Sequence, residues 1–255
     1  MTGRTALRVL AVAGAGYLIG SVSFTRVVGR LARPDLVLDS TPLSWRDGVG
    51  ISSDDVSGTT LEVNAGPRLG VLASTLDIAK AAIPVALLRR TAPEQRYDLV
   101  CAVAVMLGHN RPVYYSFHGG RGTSVLLGTL LVVDPAAIPV TIVLGQVIGI
   151  YVVRDVLFAQ HAGWLVVLPF WFAWRRDRAL VLFALAANAV RWAVSIDELR
   201  QWWPLFRSGE LRTREFHDAI EQTHLGYVHG WLRRRGLVRY DYGSAPRGDA
   251  PERQG

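Results

Sequence analysis

The fold class of this 255-residue chain is decided by residues 69–88, LGVLASTLDIAKAAIPVALL. Asp77 and Lys80 are the two ionisable residues in this stretch, and most of the others are apolar. A helix rises about 1.5 Å per residue, so about 20 apolar residues cross the hydrocarbon core of a bilayer, which is about 30 Å thick. The stretch therefore predicts a membrane-spanning helix.

Further apolar stretches flank it on both sides, namely residues 9–29, 99–108, 124–153, 156–174 and 179–194. Only Asp134-Pro135 interrupts residues 124–153, which predicts two short spans joined by a tight turn. Residues 99–108 are short for a span, and we expect the end of this helix, at His109, to enter a site. The sequence thus predicts an all-α polytopic helical bundle with about seven transmembrane helices, six being the alternative count.

Two regions are too polar to cross a membrane. The chain is 50% hydrophobic with a mean hydropathy of +0.24, too apolar for an ordinary soluble domain and too polar to be embedded throughout. Residues 31–68 are rich in Asp, Ser and Gly, and residues 196–255 mix acidic and basic side chains. We expect a transmembrane domain over residues 1–195 with polar loop 31–68 inserted. Residues 196–255 form a partly helical tail that is soluble or lies on the membrane surface.

The tail carries three local signals. Ser195 and Glu198 have capping-box spacing, which predicts a short helix that starts there and stops before Pro204. Residues 231–239 interleave apolar and basic side chains, a pattern typical either of a segment on anionic headgroups or of an ordinary solvated helix end. Residues 244–255 are predicted to be disordered.

Charge and cysteine content narrow the function classes. The formal net charge of +7, in so apolar a chain, favours a membrane surface or a phosphorylated substrate over nucleic acid as the negative partner. Of the 28 basic residues only Lys80 is lysine, which suggests that a compact ammonium is needed at that position. Cys101 is the only cysteine, which excludes an intrachain disulfide and a zinc site built from cysteines.

A polar run between two apolar segments carries the strongest chemical signal, GHNRPVYYSFHGGRG at residues 108–122. Its glycines allow backbone N–H groups to approach a ligand closely, and Arg121 adds a guanidinium suited to phosphate oxygens. The run outlines a phosphate cradle, although glycine-rich loops between helices are often only structural. His109 at the helix end is either a hydrogen-bonded structural residue or a base.

Two more polar groupings lie close to the apolar segments. Asp77 and Lys80 are three residues apart on one helix face, and either pair with each other or serve a function, because ionisable groups are costly in a membrane. Residues 57–68, SGTTLEVNAGPR, come directly before the stretch at 69–88. They are either a linker or a second set of hydroxyl, amide and guanidinium groups at the membrane face.

Together these motifs resemble the bacterial acyl-phosphate:glycerol-3-phosphate acyltransferase family, often called the PlsY family. Residues 108–122 are similar to the family's G-H-x-x-P-V-x-x-x-F-x-G-G-K-G with the spacing kept, Arg121 standing in place of the lysine. Residues 17–24, YLIGSVSF, resemble Y-L-x-G-S-x-P-F, and residues 76–80, LDIAK, resemble L-D-x-x-K. Two motifs depart: S-G-N-x-G-A-T-N-x-x-R is reduced to four positions, and Leu185 stands where H-R-x-N-I-x-R has its histidine.

The resemblance implies transfer of an acyl chain from acyl phosphate to the 1-hydroxyl of glycerol 3-phosphate, without a cofactor or metal, in the bacterial cell membrane. It implies phosphate binding by Arg68, Lys80, Gly119, Gly120, Arg121 and Gly122. Orienting or proton-handling roles fall to Ser57, Asn64 and His109, and Asp77, Ser124 and Asn188 are further site candidates. Membrane lipids are the other expected partners, and acyl-CoA stays open as an alternative donor.

Two other functions compete with this interpretation. The departures from the family motifs are also expected of an inactive lipid-binding or structural membrane protein of the same fold. Asp77 and Lys80 in mid-span are typical of small transporters too, but the chain has no internal repeat that would support one.

Overall fold

A computed structural model describes residues 3–38, 41–46, 49–221 and 226–238. Predicted disorder at 244–255 and the last residue of segment 231–239 lie outside these ranges. The described residues form twelve α-helices: α1 Gly3–Ser21, α2 Phe24–Ala32, α3 Gly58–Ala65, α4 Pro67–Thr91, α5 Tyr97–Asn110, α6 Thr123–Val133, α7 Ala137–Val147, α8 Val156–Ala162, α9 Leu168–Trp174, α10 Arg178–Ser208, α11 Arg214–Glu221 and α12 Tyr227–Arg234. An antiparallel hairpin, β1 Thr41–Arg46 and β2 Val49–Ser53, joins α2 to α3.

The helical membrane fold predicted from residues 69–88 is confirmed. That stretch lies inside α4, which begins at Pro67, where the missing N–H of proline costs no helical hydrogen bond. Among the described residues, four segments are long and apolar enough to cross a membrane: Gly3–Ala32, Pro67–Thr91, Val156–Trp174 and Arg178–Ser208.

The predicted count of seven spans is not confirmed, because the middle of the chain consists of shorter helices. α5 has 14 residues, and α6 and α7 have 11 each. At about 1.5 Å per residue, the latter two are about half as long as the hydrocarbon core is thick. The turn predicted at Asp134-Pro135 does separate α6 from α7, and His109 does lie at the end of α5.

The first predicted span is broken into two helices. α1 ends at Ser21, and α2 begins after Ser23, whose hydroxyl oxygen accepts a hydrogen bond from the Arg26 amide at 3.4 Å. The carbonyl oxygens of Gly20 and Val22 at this break accept hydrogen bonds from Lys80 Nζ, at 3.0 and 2.6 Å. A side chain distant in sequence therefore satisfies the backbone groups that the break exposes.

Two π-helical turns interrupt the third quarter of the chain. Ile148–Val153 follows α7, and Gly163–Val167 joins α8 to α9. Such turns are rare and frequently lie at functional sites. Here the second one directly follows His161.

The prediction that a short helix starts at Ser195 and stops before Pro204 is wrong at both ends. α10 runs unbroken from Arg178 to Ser208, and Asp177 caps it by accepting a hydrogen bond from the Leu180 amide at 3.0 Å. Its 31 residues make it about 46 Å long, longer than the hydrocarbon core is thick. Residues after about 200 therefore extend beyond the apolar layer.

The two polar regions pack on each other. Arg46 in the hairpin forms an ion pair with Glu210 at 2.6 Å, and the Trp45 and Phe216 rings meet edge-on at 4.9 Å. Buried Val156, Leu211, Phe216 and Ile220 form a small core with apolar side chains of the hairpin. The inserted loop and the beginning of the tail are thus one surface layer above the bundle.

The main core lies between α4, α5, α6, α9 and α10. Its fully buried members include Val85, Val105, Leu130, Leu168 and Phe172. These helices fix the relative positions of the loop after α5, the start of α6 and the middle of α10, which meet around one cavity.

Candidate active site

A cavity of about 420 Å³ opens between the loop before α6, the start of α3 and the helices α4, α6, α7, α8 and α10. Its polar lining comprises Ser57, Thr59, Glu62, Ser74, Asp77, His109, Arg121, Thr123, Ser124, Thr141, Gln146, Gln160, His161 and Arg191. Ile78, Leu127, Ile142, Leu157 and Trp164 form apolar parts of the wall. The cavity therefore offers both polar groups and a surface for an aliphatic chain.

The glycine-rich turn is fixed by backbone hydrogen bonds to two other segments. The Gly120 amide donates to the His109 carbonyl at 3.1 Å, and the Val56 amide donates to the Gly119 carbonyl at 3.0 Å. A Cβ atom at Gly119 would collide with the His109 carbonyl oxygen. Gly122, at φ +81°, has the left-handed conformation that favours glycine and leads into α6.

Arg121 lies at the cavity wall between two carboxylates. Its Nε is 3.1 Å from Asp55 Oδ2, and its Nη1 is 3.2 Å from Glu198 Oε2. Burial raises the pKa of the Asp55 carboxyl to about 6, against the opposing effect of the Arg121 charge. The charge of Arg121 is therefore balanced by two carboxylates, those of Asp55, which follows β2, and Glu198 on α10.

Arg191 is a buried cation of the opposite kind. Its side chain lies on α10 with 4% of the residue exposed. Its Nη1 donates to Thr123 Oγ1 at 2.6 Å and its Nη2 donates to His161 Nδ1 at 3.0 Å, both uncharged acceptors. Among the described residues no carboxylate lies within ion-pair distance of it. A buried charge of this kind is costly unless a ligand of opposite charge binds beside it.

Lys80 is surrounded by protein acceptors. Besides the two carbonyl oxygens at the end of α1, its Nζ contacts Asp77 Oδ1 at 2.7 Å and His109 Nδ1 at 3.0 Å. The three N–H donors of one small ammonium group are shared among these four neighbours, all within 3.0 Å of a single nitrogen, an arrangement that a larger planar guanidinium does not match. Lys80 lies behind the cavity wall, where it anchors Asp77 and His109, and not in the lining itself.

The structure brings some of the other predicted residues to the cavity and leaves others outside. Ser57 and Ser124 line it. Asn64 and Arg68 are exposed, and Asn64 donates to the Thr60 carbonyl of its own helix at 2.7 Å. Asn188 lies outside the lining and donates to the carbonyl of Trp164, a lining residue, at 2.9 Å. The second polar set predicted over residues 57–68 therefore contributes through its first residues only.

Among the residues at or beside the cavity that the sequence did not single out as site candidates are Asp55, Thr123, His161, Arg191 and Glu198. Arg191 had a signal, because its spacing from Asn188 matches that of the family motif. The others had none, because polar residues isolated in sequence become recognisable as a site only when the helices bring them together.

The arrangement can bind anions and hold an aliphatic chain. Two guanidiniums, of Arg121 and Arg191, and Gly122 face one space with hydroxyl groups of Ser57, Thr123 and Ser124, whereas Gly119 and Gly120 lie outside the lining. Within the described ranges no cluster of three or more His, Cys, Asp or Glu side chains has the geometry to hold a metal ion.

Comparison with known proteins identifies relatives along most of the chain. The family model described as "Glycerol-3-phosphate acyltransferase" matches residues 10–201. A glycerol-3-phosphate acyltransferase of Pseudomonas syringae pv. syringae is 30% identical over 180 residues, covering 69% of this chain and 85% of the relative. One from Anaeromyxobacter dehalogenans is 36% identical over 127 residues, covering 48% and 58%. The chain spans about three-fifths of the length of several curated relatives that it matches.

Two solved structures share the fold. They are crystal structures of PlsY, described as an integral membrane glycerol 3-phosphate acyltransferase, in its lysophosphatidic acid and glycerol 3-phosphate forms. They superpose with TM-scores of 0.61 and 0.59 at 21% and 22% identity, and each match covers 77% of this chain and 92% of the other. The likeness supports the assignment of the chain as an integral membrane protein.

Proposed function

Since the chain belongs to the glycerol-3-phosphate acyltransferase family, we propose that it transfers an acyl chain from acyl phosphate to the 1-hydroxyl of glycerol 3-phosphate at the cavity described above. The product is lysophosphatidate, and inorganic phosphate leaves. The proposal places the reaction in phospholipid synthesis at a bacterial cell membrane.

The observation that carries the proposal is Arg191. Its buried guanidinium faces a cavity, is held by two neutral acceptors and has no carboxylate partner among the described residues. A site of this kind is complementary to an anion, and both substrates are phosphate compounds. Arg121, next to Gly122 in the lining of the same cavity, supplies a second cationic group.

The proposed reaction requires the protein mainly to position the two substrates. The hydroxyl oxygen of glycerol 3-phosphate attacks the acyl carbonyl carbon, the bond from that carbon to the phosphate oxygen breaks, and the departing phosphate takes the hydroxyl proton. Acyl phosphate is a mixed anhydride, so the leaving group is good and positioning dominates. Cationic donors near the phosphate stabilise its developing charge. Ser57 and His109 both line the cavity, and we assign to them the orientation of the attacking hydroxyl.

The acyl chain is assigned to the apolar wall between α6, α7 and α8. Leu127, Ile142 and Trp164 line this side of the cavity. The acyl chain of the donor reaches this wall from the bilayer, by the same route as membrane lipids.

A purified-protein assay in lipid nanodiscs tests the proposal. Labelled glycerol 3-phosphate is supplied with either acyl phosphate or acyl-CoA, and lysophosphatidate and free phosphate are both quantified. We expect product with acyl phosphate and one phosphate released per product. Product with acyl-CoA alone would reassign the donor, and absence of product with either donor would refute the proposed activity.

An inactive lipid-binding protein of the same fold is the second candidate. The observation that favours it is the balancing of Arg121 by Asp55 and Glu198, which lowers the attraction of that region for a phosphate. Wild-type protein that retains phospholipid but makes no product would support this alternative. Asp77 and Lys80 pair with each other, so the mid-span charges give no separate support to a transporter.

A further inference from the structure

The two arginines of the cavity are held in opposite ways. Arg121 contacts two carboxylates, whereas Arg191 contacts a threonine hydroxyl and a histidine ring nitrogen. A carboxylate fixes a guanidinium but cancels its charge. A neutral acceptor fixes it and leaves the charge available to a ligand.

We propose that His161 is a positioning residue: its Nδ1 holds the Arg191 guanidinium in place as a neutral acceptor, so that the contact that fixes Arg191 adds no negative charge beside the phosphate of the substrate. Among the described residues, the carboxylates of Asp55 and Glu198 act on the Arg191 charge from beyond ion-pair distance. The identity of the substrate in this inference rests on the proposed function. The binding of an anion beside Arg191 does not depend on that function.

The geometry fixes which ring nitrogen does this. Arg191 only donates, so the Nδ1 atom 3.0 Å from its Nη2 must be the unprotonated nitrogen of His161. The proton of the neutral ring is then on Nε2. With its lone pair occupied by Arg191, the ring is not available as a base for the substrate hydroxyl.

The surroundings of His161 favour one orientation of its ring. It lies at the end of α8, directly before the π-helical turn Gly163–Val167, and the Trp192 ring packs against it with centroids 5.5 Å apart. Thr123 at the start of α6 holds the other terminal nitrogen of the guanidinium. Three helices thus converge on one cation. In the family motif H-R-x-N-I-x-R, a histidine stands at the position of Leu185 on α10, and Leu185 is 52% exposed here. The histidine that contacts Arg191 in this chain is His161, on α8.

Three substitutions of His161 separate the position of the acceptor atom from its charge. His161→Asn keeps a neutral acceptor near the Nδ1 position, and His161→Asp has the same shape with a negative charge. His161→Gln places its polar atoms near the Nε2 position. We expect the KM for glycerol 3-phosphate to stay within about threefold for Asn, and to rise by about tenfold for Gln and about a hundredfold for Asp, because each tenfold corresponds to the loss of one modest polar interaction. The melting temperature of the Asp variant should not fall, since it gains an ion pair.

A second readout is independent of catalysis. Inorganic sulfate binding, measured as the sulfate-induced rise in melting temperature, should follow the order wild type and Asn, then Gln, then Asp. The inference is overturned if Asn and Asp behave alike, if Gln restores what Asn loses, or if all three match the wild type. A wild type that binds sulfate in this order but makes no lysophosphatidate would leave the role of His161 standing and refute the proposed activity.

Discussion

Replacement of Arg191 by methionine should lower the activity of the protein without lowering its stability. Arg191 has five N–H donors, of which the protein uses two, for Thr123 and His161. Three remain for phosphate oxygens. Hydrogen bonds to charged groups contribute about 1.5–3 kcal/mol each, so the loss of a two-bond contact costs about 3–6 kcal/mol. At about 1.4 kcal/mol per tenfold, kcat/KM for glycerol 3-phosphate should fall by about 10²- to 10⁴-fold.

Stability should not fall with activity. The substitution removes two hydrogen bonds, each contributing about 1.5–3 kcal/mol because the donor is charged, but it also removes a buried cation without a carboxylate partner, which costs several kcal/mol to bury, so the two effects offset each other. Methionine fills most of the vacated volume. We expect a melting temperature equal to or above that of the wild type in the absence of ligand.

The assay pairs steady-state kinetics with a thermal melt of the same nanodisc preparation. Arg200→Met is the matched control, because Arg200 lies on the same helix, is exposed and, within the described ranges, has Asp197 as its one ion-pair partner; such surface pairs contribute about 0–1 kcal/mol. It should change neither activity nor stability. A melting temperature that drops by more than about 5 °C together with activity would make Arg191 a structural residue and refute the reasoning.

Three further substitutions test the rest of the site. Lys80→Met should lower stability by about 3–5 kcal/mol, because it leaves Asp77 buried without its partner, and Lys80→Met combined with Asp77→Asn should recover part of the loss in a thermal melt. Gly119→Ala should abolish acyl transfer, since its Cβ collides with the His109 carbonyl; retained activity would show that the turn is not rigid. Asp55 becomes protonated as pH falls through its raised pKa of about 6, which removes one negative charge beside Arg121. Sulfate, a dianion throughout, should therefore bind wild type several-fold more tightly at pH 5.5 than at pH 7.5, and Asp55→Asn should bind it tightly at both; an equal pH dependence in the variant would contradict this assignment.

The polar regions show where local sequence signals mislead. Ser195 and Glu198 have the spacing of a capping box, yet α10 passes through both, because packing of an apolar helix outweighs a cap contribution of about 1 kcal/mol. Residues 31–68 are predicted to be an inserted polar loop, but the hairpin within them packs against apolar side chains of α11. Pairings between segments more than 150 residues apart leave no local trace.

Membrane character, the position of α4 and the glycine-rich turn before α6 are readable from the amino-acid order, because each depends on composition and spacing within about 20 residues. Which charged groups face the cavity depends on the packing of distant helices. It placed Lys80 among backbone carbonyls and Asn64 and Arg68 at the surface, and it brought Arg191 and His161 to the cavity from separate helices. A charge in the membrane is costly wherever it lies, and whether a protein acceptor or a substrate satisfies it depends on neighbours that the fold alone supplies.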